Sequence, residues 1–313
     1  MSNSVATRTD GLVHPALFYG DEEEYLAGTV PFVQAGLEAD EPVLVAVPKD
    51  NLDRIRAALG SDAARVQLHD MSVAGRNPGR ILPGVLLAFA TAHPDKRVRI
   101  IGEPIWAGRT ATEYPACAQH EALINAAFAS RPATILCPYD TGRLDQSWLD
   151  DARRTHPILQ MGTVVRQSPH YADPIVVAAG FNLPLQDPPA HATTIAIDLV
   201  ALATIRRVVT AEAVAAGLSP ERVSDLTLAV NELATNTVKH TAAGGTLAVW
   251  TDPTRLICQF RDTGHITNPL AGRIPPPPQQ PGSRGLVLVN QLCDLVRVHT
   301  LPGATTIRVH MHR

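Results

Sequence analysis

Residues 226–240, LTLAVNELATNTVKH, constrain the fold of this chain more tightly than any other stretch. Leu226, Val230, Leu233, Ala234, Thr237 and Val238 recur at helical spacing as one apolar stripe, while Asp225, Glu232, Asn236 and His240 follow its flank. Such a segment predicts a helix with the stripe laid on a core and the flank left open. Glu232, Asn236 and His240 stand at successive i,i+4 steps, so an acid, an amide and an imidazole share one side. That order suits a magnesium nucleotide. The phosphates already supply negative charge, and the Asn236 amide oxygen is a neutral hard ligand for the ion. Glu232, one turn earlier, can take a proton from an attacking water or hydroxyl, and Lys239 and His240 can face phosphate oxygens as donors.

Glu-x-x-x-Asn alone also describes an ordinary solvated helix flank. Its downstream context is more specific. The apolar run LICQF leads into Arg261-Asp262-Thr263-Gly264, and a proline-rich segment then ends in Gly282-Ser283-Arg284-Gly285-Leu286 before another helix. In this ordered set the sequence resembles the GHKL ATPases of gyrase, heat-shock chaperones, histidine kinases and RsbW-type anti-sigma kinases, and residues 191–313 look most like the last group. The resemblance implies a Bergerat-type α/β sandwich that binds ATP and Mg2+. It implies Glu232 as catalytic base, Asn236 as the metal ligand, Asp262 on the adenine amino group and Gly264 giving backbone access to the base. Lys239, His240, Gly282, Arg284, Gly285 and Leu286 would complete the ATP site, the last helix turning its N-terminal amides toward phosphate. The usual Asp-x-Gly-x-Gly is here Asp262-Thr263-Gly264-His265-Ile266, without the second glycine.

At 313 residues the chain is long enough for two domains. Its 45% hydrophobic and 18% charged residues exclude a disordered chain, and a net charge of -3 gives no signature of nucleic-acid binding. No apolar run approaches the roughly 20 residues of a spanning helix, and MSNSVATRTDG lacks the parts of a signal peptide, so a cytoplasmic protein with no membrane partner is expected. Cys117, Cys137, Cys258 and Cys293 form no Cys-x-x-Cys pair and read as isolated buried thiols with no assigned chemistry.

Before residue 165 the pattern alternates. After a polar leader come a helix over 22–37, the apolar run Val43–Val47, further strands near 66–68, 98–102 and 134–137, and helices near 52–59, 79–92 and 114–129. Alternation of this kind predicts a mostly parallel sheet with right-handed crossovers. Ligands of such sheets sit beyond the carboxyl ends of the strands, where Asp70, Glu103, Trp106, Tyr139 and Asp140 offer a candidate sensory pocket. The same residues also suit helix caps and turns, Asp140 before Thr141-Gly142 above all. No Gly-x-x-x-x-Gly-Lys-Ser/Thr occurs. The phrases HPALFYGDEEEYLAGTVPFVQAGLEADEPVLVAV and ILCPYDTGRLDQSWLDDARRTHP resemble the MEDS sensory domain, a RecA/KaiC-like fold without the phosphate loop, over residues 12–165. That implies a domain that senses a signal, with a small molecule as the expected partner.

Residues 166–190 are punctuated by prolines and read as a semi-stiff connector, with a short strand at 175–179. A strand at 193–197, Asp198 as the N-cap of a helix running to 216, Ser219 capping with Pro220 at the first helical position, and strands at 246–251, 256–261, 295–300 and 305–311 predict a mixed sheet with helices on one face.

By resemblance to the RsbW type, the expected function is an anti-sigma factor whose kinase module binds a sigma factor and phosphorylates a serine or threonine of a STAS-domain anti-anti-sigma partner, under control of the sensory domain. A homodimer is the corresponding family expectation. Two alternatives stay open. A histidine kinase needs a phosphoacceptor, and the one His-Glu pair on an expected helix is His120-Glu121, where His120 reads as a helix-surface residue. A non-catalytic, nucleotide-dependent binding protein needs only the ATP site.

Overall fold

The computed structural model describes residues 11–275 and 284–313, which divide into two compact units. The first holds residues 11–75 and Val85–Val177. Its strands are β1 (Leu12–Val13), β2 (Pro15–Tyr19), β3 (Val43–Val47), β4 (Gln67–Asp70), β5 (Val98–Gly102), β6 (Ala133–Asp140), β7 (Ile158–Met161) and β8 (Val164–Gln167). They form one sheet in the order β4-β3-β5-β6-β2-β7-β8, with β1 also on β6, and every pair is parallel except the β7–β8 hairpin. All five residues of β2 and of β3 are buried, as a sheet covered on both faces requires. Helices Glu22–Glu38, Lys49–Leu59, Tyr114–Ala127 and Gln146–Thr155 make the crossovers. Asp21 starts the first of them by accepting from the Glu24 amide at 2.9 Å.

Several expectations change. Residues 15–19, given no element by the sequence pattern, are a central strand, because their partners β6 and β7 lie far along the chain and five residues beginning with proline carry little local strand signal. The helix expected over 79–92 is split into Pro78–Ile81, a π-helical turn Leu82–Leu86 and Leu87–Ala92. Pro83 lies inside that turn and lacks the amide an α-helical ladder needs. The strand expected at 175–179 is instead a helix, Pro174–Gly180. Asp173 Oδ1 accepts from the amides of Ile175 and Val176, and this cap overrides the β preference of an Ile-Val-Val run. His120, expected on a helix surface, is 1% exposed.

The second unit comprises Arg76–Gly84 and Ala178–Arg313. Its strands β9 (Thr193–Ile197), β10 (Gly245–Thr251), β11 (Arg255–Asp262), β12 (Leu295–Leu301) and β13 (Ala304–His312) lie in the order β12-β13-β11-β10-β9. All four pairings are antiparallel, so the expected mixed sheet is corrected. Ile205 and Val209 from the Leu202–Ala215 helix, Leu226, Val230 and Leu233 from the Pro220–His240 helix and Val289 from the Gly285–Leu292 helix share one core with Leu256, Cys258 and Phe260 of β11. Ser219 and Pro220 open the central helix as expected, with Ser219 Oγ accepting from the Arg222 amide. Asp198 does not cap its helix directly. It accepts from the Ala201 amide at 2.7 Å, closing a turn, and the helix begins at Leu202. Part of the proline-punctuated stretch is pinned to the sheet: Asn182 exchanges two hydrogen bonds with the Thr300 backbone, and Asp187 pairs with Arg261 at 2.7 Å.

Asp294, 5% exposed, anchors the far side of this core. It accepts from Arg222 and from the His312 amide at 2.7 Å, and it forms an ion pair with Arg76 at 2.9 Å. Removing a buried partner leaves charge uncompensated, so Asp294→Ala is expected to lower unfolding stability by about 3 kcal/mol. Chemical denaturation checks this, and a loss below about 1 kcal/mol would show that the network carries little.

Candidate functional site

The Pro220–His240 helix and the end of β11 build the site. The apolar stripe of the helix is fully used: Leu226, Ala229, Val230, Leu233, Ala234 and Thr237 are buried, which leaves Glu232, Asn236 and His240 on the side away from the core. Beyond them opens a cleft of about 670 Å³ lined by Asn236, His240, Asp262, Gly264, Gly285 and Leu286, together with Ile266, Leu270, Gly272, Thr305 and Ile307. Glu232 belongs to the same pole, because a Cβ built on Gly285 would stand 3.0 Å from its Oε2 and 3.3 Å from Asn236 Nδ2. Lys239 is exposed at the end of the helix, and neither it nor Arg284 is among the residues lining the cleft. Gly282 lies outside the described residues.

Asp262 is held at both carboxylate oxygens. Thr237 Oγ1 donates to Oδ2 at 2.7 Å and the Gly264 amide to Oδ1 at 2.9 Å. A Cβ on Gly264 would meet Asp262 Oδ1 at 3.0 Å, so only glycine leaves the carboxylate edge clear. Sequence periodicity places Thr237 on the apolar stripe and misses its hydroxyl; the signal was a threonine among aliphatic residues, one step after Asn236.

The loop that lacks the usual second glycine is secured by side chains. The Ile266 amide donates to Thr300 Oγ1 at 2.9 Å, Thr305 Oγ1 donates to the Gly264 carbonyl at 2.9 Å, and the two hydroxyls lie 2.8 Å apart. Each hydroxyl has one proton, so Thr300 must donate to Thr305. Ile266 packs against the apolar core, and Asp40 is the sole described non-glycine residue at positive φ, so isoleucine sits here without backbone strain. At the other edge Gly272 takes φ +74, and its carbonyl accepts from Asn290 at 3.0 Å.

Chemically the cleft offers one carboxylate fixed by two donors, a second carboxylate beside an amide, and the first turn of the Gly285–Leu292 helix, whose leading amides have no intrahelical partner. A fixed carboxylate suits an exocyclic amine, and free helix amides beside an amide oxygen suit phosphate with a hard cation. The donor set therefore fits Mg2+ and ATP.

In the first unit the candidate sensory residues each have their own partners. Asp70 accepts from the Ser72 amide at 2.9 Å, and Asp140 from the Gly142 amide at 3.0 Å; both act as cap or turn residues. Trp106 lies against the Arg109 guanidinium, 3.8 Å from the ring centre, and Tyr139 packs on Phe18. Glu103 differs. It is 2% exposed just after β5, and Asn51, Tyr19 and Tyr25 donate to its two oxygens at 2.9–3.4 Å. Burial, reinforced by nearby Asp140 and only partly offset by these donors, raises its carboxyl to about 8. Asn51, Tyr19 and Tyr25 had no distinguishing local pattern.

No described helix is long and apolar enough to cross a membrane. Residues 13–157 match the family described as MEDS, the MEthanogen/methylotroph, DcmR Sensory domain, and residues 195–311 match the histidine kinase-like ATPase domain. No curated protein matches the chain. A crystal structure of the RsbU and RsbW domains of Rv1364c from Mycobacterium tuberculosis is similar at 19% identity over 40% of this chain, with a TM-score of 0.31. The match spans 34% of that chain, about a third of its length.

Proposed function

Since the chain carries a MEDS sensory domain followed by a histidine kinase-like ATPase domain, we propose that it is a signalling regulator in which a sensory unit controls an ATP-dependent, RsbW-type anti-sigma kinase. The observation that carries the reading is the gathering of Glu232, Asn236, Asp262 and Gly285 about one cleft. Asp262 takes the adenine amino group and the Gly285 helix turn the phosphates. Mg2+, held through the Asn236 amide oxygen, supplies charge neutralisation when bound. Glu232 accepts the proton of a partner serine or threonine hydroxyl. The freed oxygen bonds to the terminal phosphorus, the bond to the bridging oxygen breaks, and ADP leaves. The partners are a STAS-domain anti-anti-sigma protein as phosphoacceptor and a sigma factor as the sequestered protein. In the sensory unit, neutral Glu103 with Tyr19, Tyr25 and Asn51 is the strongest candidate for contact with a small-molecule signal.

The test is transfer of labelled terminal phosphate from ATP to candidate STAS partners. Acid-stable label on the partner is expected, and Glu232→Ala is expected to reduce its formation at least 100-fold while ATP affinity stays within about threefold. Acid-labile label on the protein itself would identify a histidine kinase instead, and ATP binding with no transfer to any partner would leave a nucleotide-gated binding module.

A further inference from the structure

Four side chains that ATP chemistry does not use converge inside the first unit. His14 sits between β1 and β2, Glu121 on the Tyr114–Ala127 helix, Cys137 within β6, and His156 just after the Gln146–Thr155 helix; each is at most 1% exposed. One donor atom from each lies within 4.8 Å of all the others. His156 Nε2 is 3.2 Å from Glu121 Oε2, Cys137 Sγ is 3.4 Å from His14 Nε2, and His14 Nε2 is 3.6 Å from Glu121 Oε2. Bonds of about 2.0–2.3 Å to a tetrahedral ion place neighbouring donors roughly 3.3–3.8 Å apart. The three close contacts lie near that spacing.

Hydrogen bonds fix which atom of each imidazole points inward. His14 Nδ1 lies 3.1 Å from Asn125 Oδ1, while the Asn125 amide nitrogen donates to Thr155 O at 2.8 Å, so Nδ1 carries the proton. His156 Nδ1 lies 2.9 Å from the carbonyl of Ala152, an acceptor, so it too is the protonated nitrogen. Both rings thus turn an Nε2 lone pair toward the centre, held there by their outer bonds as in metal-bound histidines. The Cys137 thiol serves the His14 lone pair, whereas the His156 lone pair faces the Glu121 carboxylate. Both Glu121 oxygens and His156 Nε2 are buried with no hydrogen-bond partner. A cluster of buried acceptors around a carboxylate is costly unless positive charge occupies it.

We propose that His14 Nε2, His156 Nε2, Cys137 Sγ and one Glu121 oxygen form a closed Zn2+ site that ties β6 to the entry of β2 and to two crossover helices. Two imidazoles, one sulfur and one carboxylate oxygen are donors zinc accepts, and four protein ligands at full burial correspond to a structural ion rather than one that keeps an open position. On binding, Cys137 loses its thiol proton to solvent, and thiolate and carboxylate together balance the two positive charges of the ion.

The experiment uses the full chain, purified without chelators and with any metal-binding tag removed. Elemental analysis is expected to find about one zinc per chain. Exchange with Co2+ is expected to give the visible bands of a four-coordinate ion together with a near-ultraviolet thiolate-to-cobalt band. Cys137→Ser should lose that thiolate band, His156→Gln should weaken zinc binding at least tenfold, and Cys117→Ser, a buried thiol outside the cluster, should change neither. Folded protein that takes up no zinc from added salt overturns the proposal, as does a thiolate band that survives Cys137→Ser. Should the variants fail to fold, Co2+ titration of the unaltered chain decides: no four-coordinate spectrum, no site.

Discussion

The Gly285→Val substitution is expected to weaken Mg·ATP binding by about 100-fold, close to 2.7 kcal/mol, while leaving the melting temperature of the second unit within about 2 °C. Position 285 is buried, yet what it faces is the cleft and not the core. Even a bare Cβ there would stand 3.0 Å from Glu232 Oε2 and 3.3 Å from Asn236 Nδ2, and two further methyl groups have no direction in which to retreat except into the phosphate and metal pole. A branched side chain would also screen the leading amides of the Gly285–Leu292 helix, the groups that meet phosphate charge. The core contact of that helix comes from Val289, which the substitution does not touch. Titration calorimetry with and without Mg2+ measures the effect. Affinity within threefold of the unaltered chain would mean that the phosphates bind elsewhere, and the ATP site would have to be drawn again.

The Glu103→Gln substitution is expected to remove a pH dependence from the first unit. A carboxyl raised from 4.5 to about 8 keeps its proton in the folded state over a range where the unfolded chain has released it. Its contribution is therefore fully present below pH 4.5 and is lost as pH rises through 8. At roughly 1.4 kcal/mol per pKa unit the difference is on the order of 5 kcal/mol. Glutamine keeps the shape and cannot ionise, so the variant should match the parent near pH 5 and exceed it at pH 8.5. Hydrogen exchange of the β5 amides in the full chain, measured at both pH values, isolates this unit. Equal pH dependence in both proteins would show that Glu103 is already ionised, with its three donors outweighing burial. The same neutrality at pH 7 makes Glu103 a hydrogen-bond donor at the carboxyl edge of the sheet, which is the property that recommends it as a contact for a polar signal.

Much of the second unit was legible because its signals are local. Helical spacing over 226–240, Ser219-Pro220 at a helix start and the apolar run LICQF of β11 each act within one element, and each element formed as its residues dictate. Glu232 and Asn236 share a helix face for the same reason. What no spacing contained was the partner of Asp262: Thr237 is one residue after Asn236, but its hydroxyl finds the carboxylate only because the helix crosses the end of β11. The direction of the strands was equally hidden. Antiparallel β9 and β10 flank two helices, and connection length alone left room for the mixed sheet that was expected.

In the first unit, continuous apolar runs and the helices between them were enough to imply a parallel sheet, since only a strand covered on both faces can carry Val43–Val47 unbroken. Strand β2 escaped because parallel pairing joins residues more than a hundred positions apart and leaves no turn signature. The same long-range closure brings His14, Glu121, Cys137 and His156 to one point. By itself the sequence determined which segments are helix or strand and which helix face bears the acid and the amide, because dihedral preference and apolar periodicity act over a few residues. Only the tertiary structure decided which distant polar atoms meet, because that depends on strand order and on the cost of leaving a buried donor or acceptor without its partner.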